Sequence, residues 1–198
     1  MKRTFDLVLS AMGLIVSLPL WGIIALAITL QDGGPVFFPQ RRVGRHGRLF
    51  NAFKFRSMIP DAEATTGPVQ ATENDPRVTT VGRLMRATAM DELPQLCNIF
   101  VGDMSFVGPR PLRPREVDAT SDGRLIALRD IPGYEARHRT RPGLTGLAQV
   151  YGPRDLPRAG KFRLDRLYLE KQSFCLDLKL ILVSFWMTSR GAWERRDR

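Results

Sequence analysis

Between Leu7 and Leu30 the chain runs for 24 residues without a charged side chain. A straight helix of that length would measure about 36 Å, enough for a bilayer core of about 30 Å. Pro19 sits near the centre of the stretch, with Ser17 two residues before it and Gly22 three after. Proline removes a backbone donor and crowds the preceding turn, so the helix is expected to bend or break there. A carbonyl freed inside lipid needs a partner, and the Ser17 hydroxyl is close enough in sequence to offer one. Basic residues flank the stretch on both sides: Lys2 and Arg3 before it, Arg41, Arg42, Arg45 and Arg48 after it. Such flanks fit two cytoplasmic ends better than one crossing. The expectation is a membrane break at Ser17 and Pro19 giving a re-entrant helix-break-helix, preferred over a kinked span. A cleavable signal fits poorly, because the apolar run is too long and no small-residue cleavage site follows it cleanly.

The remainder reads as one integrated unit, giving a division into 1–30 as anchor and 31–198 as cytoplasmic domain. Its fold class is α+β and mostly helical, with a small β-hairpin, Pro/Arg-rich loops and interfacial helices. Val36 to Phe38 and Leu49 to Arg56 alternate around Gly44-Arg-His-Gly47, which is hairpin patterning. Residues 59 to 77 read as an exposed loop. Helices are expected over Val78 to Ala87, Leu93 to Val101, Arg115 to Arg129, Phe162 to Leu169 and Phe174 to Met187. Asp91 is placed as an N-cap, with Glu92 and Pro94 in the first turn. The last helix is apolar on most faces. Trp186 and Trp193 lie among basic residues there, which suits either the membrane interface or the core. Seven of the 14 prolines fall between Pro109 and Pro157, so that region should be rigid loop around one helix.

Charge narrows the partners. The chain carries 30 Lys+Arg against 20 Asp+Glu, a formal net charge of +10, and 25 of the basic residues are arginine. The planar guanidinium meets phosphate bidentately, so a nucleotide, a lipid headgroup or nucleic acid could each be met, although a high-GC genome also favours arginine codons. Two cysteines, Cys97 and Cys175, cannot build a disulfide framework or a multi-cysteine zinc site, and their apolar neighbours suggest buried free thiols. His46 and His138 are each isolated and read as structural or surface residues. Hard oxygen ligands for Mg2+ stay open.

The remaining chemistry is an acidic pair, Asp91-Glu92, inside a frame of Arg83, Arg86 and Arg110. Carboxylates beside a helix start need no ligand to explain them. A helix start also seats phosphate, and carboxylate with phosphate then requires neutralising cations. A carboxylate can attack phosphorus to give an acyl phosphate.

Met90-Asp-Glu-Leu-Pro-Gln-Leu96, Gly102-Asp-Met-Ser105 and Val107-Gly-Pro-Arg-Pro111 closely resemble motifs of the bacterial sugar transferase family, the monotopic polyprenyl-phosphate phosphoglycosyl transferases. Gly34-Pro-Val-Phe37, Arg42-Val-Gly44, Lys54-Phe-Arg-Ser-Met58, Asp75-Pro-Arg77 and Arg141-Pro-Gly-Leu-Thr-Gly146 match in the family's order, from about Lys2 to Leu182. The length resembles the minimal catalytic form. One departure is that small members often place serine directly before the membrane proline, whereas here the run is Ser17-Leu18-Pro19.

The resemblance implies an EC 2.7.8-type enzyme that moves a phospho-sugar from a UDP-sugar to polyprenyl (undecaprenyl) phosphate at the cytoplasmic face of the bacterial inner membrane. UMP would leave, and the reaction would open a glycoconjugate pathway such as exopolysaccharide synthesis. In that scheme Asp91 is the nucleophile, and Glu92, with Asp91, holds Mg2+. Arg86 and Arg110 hold phosphate, Lys54 and Arg56 assist, and the loop carrying Thr145 and Gln149 helps form the nucleotide pocket. The phospholipid membrane is a partner, nucleic acid is not, and a homodimer stays open. Two alternatives are a membrane-tethered glycosyltransferase releasing UDP, and a basic nucleic-acid-binding protein, whose usual signatures are missing.

Overall fold

The computed structural model describes residues 1–62, 75–119, 125–153 and 156–190. Helix α1 (Lys2–Asp32) is continuous, with Pro19 inside it. The expected break is therefore not an interruption of the helix. Proline's missing N–H leaves the Ile15 carbonyl without its usual partner. The Ser17 hydroxyl instead donates to the Leu14 carbonyl at 3.3 Å and accepts from Trp21 Nε1 at 3.0 Å. Trp21 carries that bond into an aromatic cluster, 5.4 Å from the Phe55 ring.

The apolar residues of α1 divide between two faces. Ile24 and Ile28 are buried against Phe55 and Met85, and Leu14 packs on Leu96, Ile99 and Met104. Val8, Met12, Ile15, Val16, Ile23, Leu26 and Leu30 stay exposed on the other side. Both ends are fastened to the rest of the chain. At the start, Lys2 pairs with Asp177 at 2.6 Å, and the buried Asp6 carboxylate accepts from the Phe106 amide at 3.2 Å. At the other end Asp32 takes the Arg56 guanidinium, and Gln31 Oε1 accepts from the Val81 amide at 3.1 Å.

Strands β1 (Phe37–Val43) and β2 (Leu49–Phe55) form the expected antiparallel hairpin, with Phe37 opposite Phe55 and Val43 opposite Leu49. Helix α2 (Thr80–Ala87) is capped by Thr79, whose hydroxyl accepts from Gly82 N. Helix α3 (Gln95–Val101) ends on Gly102 in the left-handed region. Strand β3 (Ser105–Val107) pairs in parallel with β6 (Gly143–Thr145). Only glycine permits this crossing: a Cβ on Gly143 would stand 2.1 Å from Gly108 N. The remaining helices are α4 (Tyr134–Arg137), α5 (Leu147–Tyr151), α6 (Arg158–Lys171) and α7 (Phe174–Ser189).

Three expectations need correction. The helix read over Arg115 to Arg129 is instead an antiparallel pair, β4 (Val117–Ala119) with β5 (Leu125–Ala127), followed by a 3-10 turn at Leu128–Asp130. Cross-strand pairing, with Val117 opposite Ala127, outweighs the helical spacing of the apolar residues. Cys97 is only half-buried and Cys175 is exposed. Asp91 does not cap a helix: it lies within a 3-10 turn, Met90–Glu92, while Pro94 holds the N-cap position of α3. Most of the 59–77 loop, and Trp193, lie outside the described residues.

Candidate active site

The acidic pair is delivered by the turn between α2 and α3. Ala89 enters it with φ 53, a left-handed conformation that costs an alanine about 1–2 kcal/mol. From there Asp91 points into the protein, 8% exposed, and Glu92 borders a cavity lined by Arg42, Ala52, Lys54, Gln95, Arg110, Pro111 and Gly143. Asp91 is not among the residues that line it.

Glu92 Oε1 accepts from Lys54 Nζ at 2.6 Å and from Arg110 Nη2 at 2.8 Å. Each cation comes from a different element. Lys54 projects from β2, whose outer edge is held by the fully buried Asn98 of α3. The Asn98 amide donates to the Asn51 carbonyl at 2.8 Å, and its Oδ1 accepts from the Phe53 amide at 3.0 Å. Arg110 sits on the loop after β3. Its own carbonyl accepts from Arg137 Nη2 at 2.7 Å, and the Arg137 Nε donates to Asp165 at 2.9 Å. Arg137 also stacks over Phe162, 4.6 Å from the ring centre.

These surroundings separate the two carboxyls. Burial pushes the Asp91 carboxyl up to about 6; Lys54, Arg86 and Arg110 pull against that rise, and the Glu92 charge adds to it. Burial also acts to raise Glu92, but Arg110 and Lys54 outweigh it and hold this carboxyl well below the ordinary range. The Glu92 charge in turn raises Arg110. The pair is thus one carboxylate ionised far below neutrality and one that titrates at about 6.

Of the residues singled out in the sequence, Asp91, Glu92, Lys54 and Arg110 come together, with Arg86 on the last turn of α2 acting on Asp91 through its charge. Arg83 is exposed. Arg56 does not join them. Its guanidinium is bound to both Asp32 oxygens and its Nε donates to the Pro35 carbonyl at 2.7 Å, which makes it a clasp between α1 and β2. The Thr145 hydroxyl is bonded to Ser184 of α7. Gln149 is buried on α5, with its amide 3.5 Å from the Gly143 carbonyl. Both lie next to the cavity wall without lining it. His138 is buried and its Nδ1 lies 2.8 Å from the Tyr134 carbonyl, as a structural histidine would.

Three contributors went unassigned from sequence: Arg42, Asn98 and the Arg137–Asp165 pair. For Asp165 a signal exists, because Phe162, Asp165 and Tyr168 share one buried helical face and an acid there interrupts an apolar stripe. For Arg42 the signal is strand alternation, which places Gln40 and Arg42 together on the covered side of β1. Arg137 offers none.

Cations converging on paired carboxylates can neutralise an anionic ligand, and a buried carboxyl raised to about 6 is a common feature of sites that carry out group transfer. The chain matches the family model described as bacterial sugar transferase over residues 1–191 and belongs to that family. It is 43% identical over 190 residues to an undecaprenyl-phosphate glucose phosphotransferase of Komagataeibacter xylinus, covering 92% of this chain and 35% of that protein. It is 39% identical over 186 residues to the exopolysaccharide production protein PSS of Rhizobium leguminosarum bv. phaseoli, covering 91% of each. With a UDP-glucose:undecaprenyl-phosphate glucose-1-phosphate transferase of Escherichia coli (strain K12) the identity is 40% over 191 residues, covering 93% of this chain and 39% of the other. The chain thus spans little more than a third of two of these relatives and nearly all of the third.

Proposed function

We propose that this protein transfers a phospho-sugar from a UDP-sugar to polyprenyl (undecaprenyl) phosphate, with release of UMP, at the cytoplasmic face of the bacterial inner membrane. The observation that carries this reading is Asp91-Glu92 set among Lys54, Arg86 and Arg110 on the same body that fastens both ends of the apolar helix.

In the first step an Asp91 carboxylate oxygen attacks the β-phosphorus. The bond from that phosphorus to the bridging oxygen breaks, and UMP leaves with the electron pair. The enzyme then carries a phospho-sugar on Asp91. In the second step a phosphate oxygen of the lipid attacks the same phosphorus and the Asp91 oxygen leaves, giving the polyprenyl diphospho-sugar and restoring the carboxylate. Arg110 and Lys54, already gathered on Glu92, are in place to meet the negative charge of the diphosphate. The hard carboxylate oxygens of Glu92 and Asp91 suit Mg2+, an ion that proteins often hold with one or two carboxylates and substrate phosphates. When bound it supplies Lewis-acid neutralisation of the diphosphate. Among the described residues no larger cluster of metal-binding side chains exists.

The same reading makes the protein monotopic. Helix α1 is long and apolar enough to cross a membrane, yet Lys2 and Asp32, at its two ends, both bind the folded body. That attachment favours an anchor inserted into one leaflet, with both ends on the cytoplasmic side, and the exposed residues from Val8 to Leu30 facing lipid. Phe174, Leu178, Leu182 and Phe185 give α7 a similar exposed apolar face. An active site at headgroup depth would then meet a lipid phosphate. Thr4→Cys and Arg41→Cys, in a background without Cys97 and Cys175, should share one accessibility to an impermeant maleimide in sealed vesicles. Opposite accessibility would establish a span.

The direct test incubates the protein in nanodiscs with undecaprenyl phosphate, Mg2+ and a panel of UDP-sugars. UMP is the expected product, and with donor alone the peptide containing Asp91 should gain the mass of a phospho-sugar. Release of UDP, or an adduct elsewhere, would overturn the scheme.

A further inference from the structure

Lys54 and Arg110 both spend a donor on Glu92 in this structure, so the cavity's third cation, Arg42, stands apart. Its partners are neutral oxygens: Nη1 donates to the Pro111 carbonyl at 2.9 Å, and Nη2 donates to Gln40 Oε1. Its Nε is buried and has no hydrogen-bond partner. A buried guanidinium N–H left unmade is costly, and no carboxylate is hydrogen-bonded to this guanidinium. The neighbourhood deepens that imbalance. Burial, followed by the charges of Arg110 and Arg113, pushes Arg42 down to about 10, and Glu92 and Glu116 only partly offset them.

We propose that Arg42 is a phosphoryl-binding residue of the active-site cavity, completing with Lys54 and Arg110 a three-cation cradle for a substrate phosphate. The proposal rests on the reading given under Proposed function and adds to it a ligand contact from the hairpin. Gln40 and the Pro111 carbonyl hold two corners of the guanidinium, so its plane is fixed before the anion arrives. The phosphoryl oxygens could belong to the donor's diphosphate or to the acceptor lipid's monophosphate, and the chemistry of recognition is the same.

The test is calorimetric titration of the detergent-solubilised full chain with inorganic pyrophosphate and with inorganic phosphate. Wild type, Arg42→Gln, Arg42→Lys and, as a control for lost charge, Arg48→Gln on the exposed hairpin turn are compared. Arg42→Gln should weaken pyrophosphate binding by about tenfold or more, since a charge-assisted hydrogen bond to the anion disappears. Arg42→Lys should weaken it by about threefold, because the charge stays and the planar fork goes. Arg48→Gln should match wild type. A loss confined to pyrophosphate assigns Arg42 to the donor side, and an equal loss for phosphate assigns it to a site both substrates share. Wild-type affinity for both anions in folded Arg42→Gln, or no pyrophosphate binding by wild type, would overturn the proposal. If Arg42→Gln fails to fold, unchanged pyrophosphate affinity in Arg42→Lys overturns it. Because binding is read without turnover, failure of the phosphotransfer scheme would appear separately, as absence of UMP.

Discussion

Two charged clusters lie on either side of the loop that carries Arg110, and they resolve opposite demands. Arg137 and Asp165 are 4% and 3% exposed, pair one to one, and are closed off by the Phe162 ring. Around Glu92 the charges do not balance locally. One carboxylate holds two cations, a third cation has only neutral partners, and Asp91 is buried beside them with a raised pKa. The first cluster is complete without a ligand, whereas the second carries positive charge that an arriving anion would balance. The Arg137–Nη2 bond to the Arg110 carbonyl joins them, so the closed cluster aims a residue of the open one.

The largest effect is expected from opening the closed pair. Asp165→Asn should cost about 3–5 kcal/mol in denaturant unfolding, because Arg137 is left charged and buried without its counter-ion. Burial works to lower Arg137 and to raise Asp165, so the pair owes little net stability to its charges. Arg137→Met combined with Asp165→Leu should therefore unfold with a smaller loss than Asp165→Asn alone. A double variant that loses the sum of the two single losses would remove the distinction. Asn98→Ala should come next, at about 2–3 kcal/mol, since buried partners on β2 lose their hydrogen bonds. It should also lower turnover by loosening Lys54, which a fold-only role would leave at the wild-type rate per folded molecule.

The pH profile sharpens the open side. Asp91 must be ionised to attack phosphorus, and its carboxyl sits at about 6. Measured as kcat/KM, activity should fall about tenfold per pH unit below that value and level off above pH 7. A profile flat down to pH 5 would assign the nucleophile elsewhere. The smallest effect is expected at Ala89→Gly, where relief of the left-handed backbone should change stability by about 1 kcal/mol or less and leave activity in place.

What was legible in the sequence followed range. The hairpin announces itself by alternation around Gly44 and Gly47, and α7 by an apolar stretch from Phe174 to Met187 broken only at Asp177, Lys179 and Ser184, because local pattern determines both. The pair Asp91-Glu92 and the arginines around it stand out from the residues themselves, the resemblance adds their roles, and the structure places Lys54 and Arg110 on Glu92. Arg56 was misplaced, since nothing local shows that Asp32, 24 positions earlier, claims its guanidinium. The pairing of Arg137 with Asp165 is likewise invisible without the tertiary fold. Cys175 was expected in the core because its neighbours are apolar, but α7 carries apolar residues on its exposed face, and sequence alone does not separate an apolar outer face from an interior. The β4–β5 pair was missed because three-residue strands are too short to show a period.

One pair of readings on Asp91→Asn tests the central claim, that this carboxylate is kept buried and charged for catalysis at the expense of folding. Its pKa in the folded protein lies above the 3.8 of an ordinary aspartate, so the folded state binds the proton more tightly than the unfolded chain. The stability given by that proton is present below about pH 4 and lost as pH rises through about 6, a loss of about 2–3 kcal/mol that Asn avoids. At pH 8 Asp91→Asn should melt above wild type while UMP release falls below detection, and the stability difference should close towards pH 4. A variant that melts lower than wild type at pH 8, or that still releases UMP, would contradict the claim.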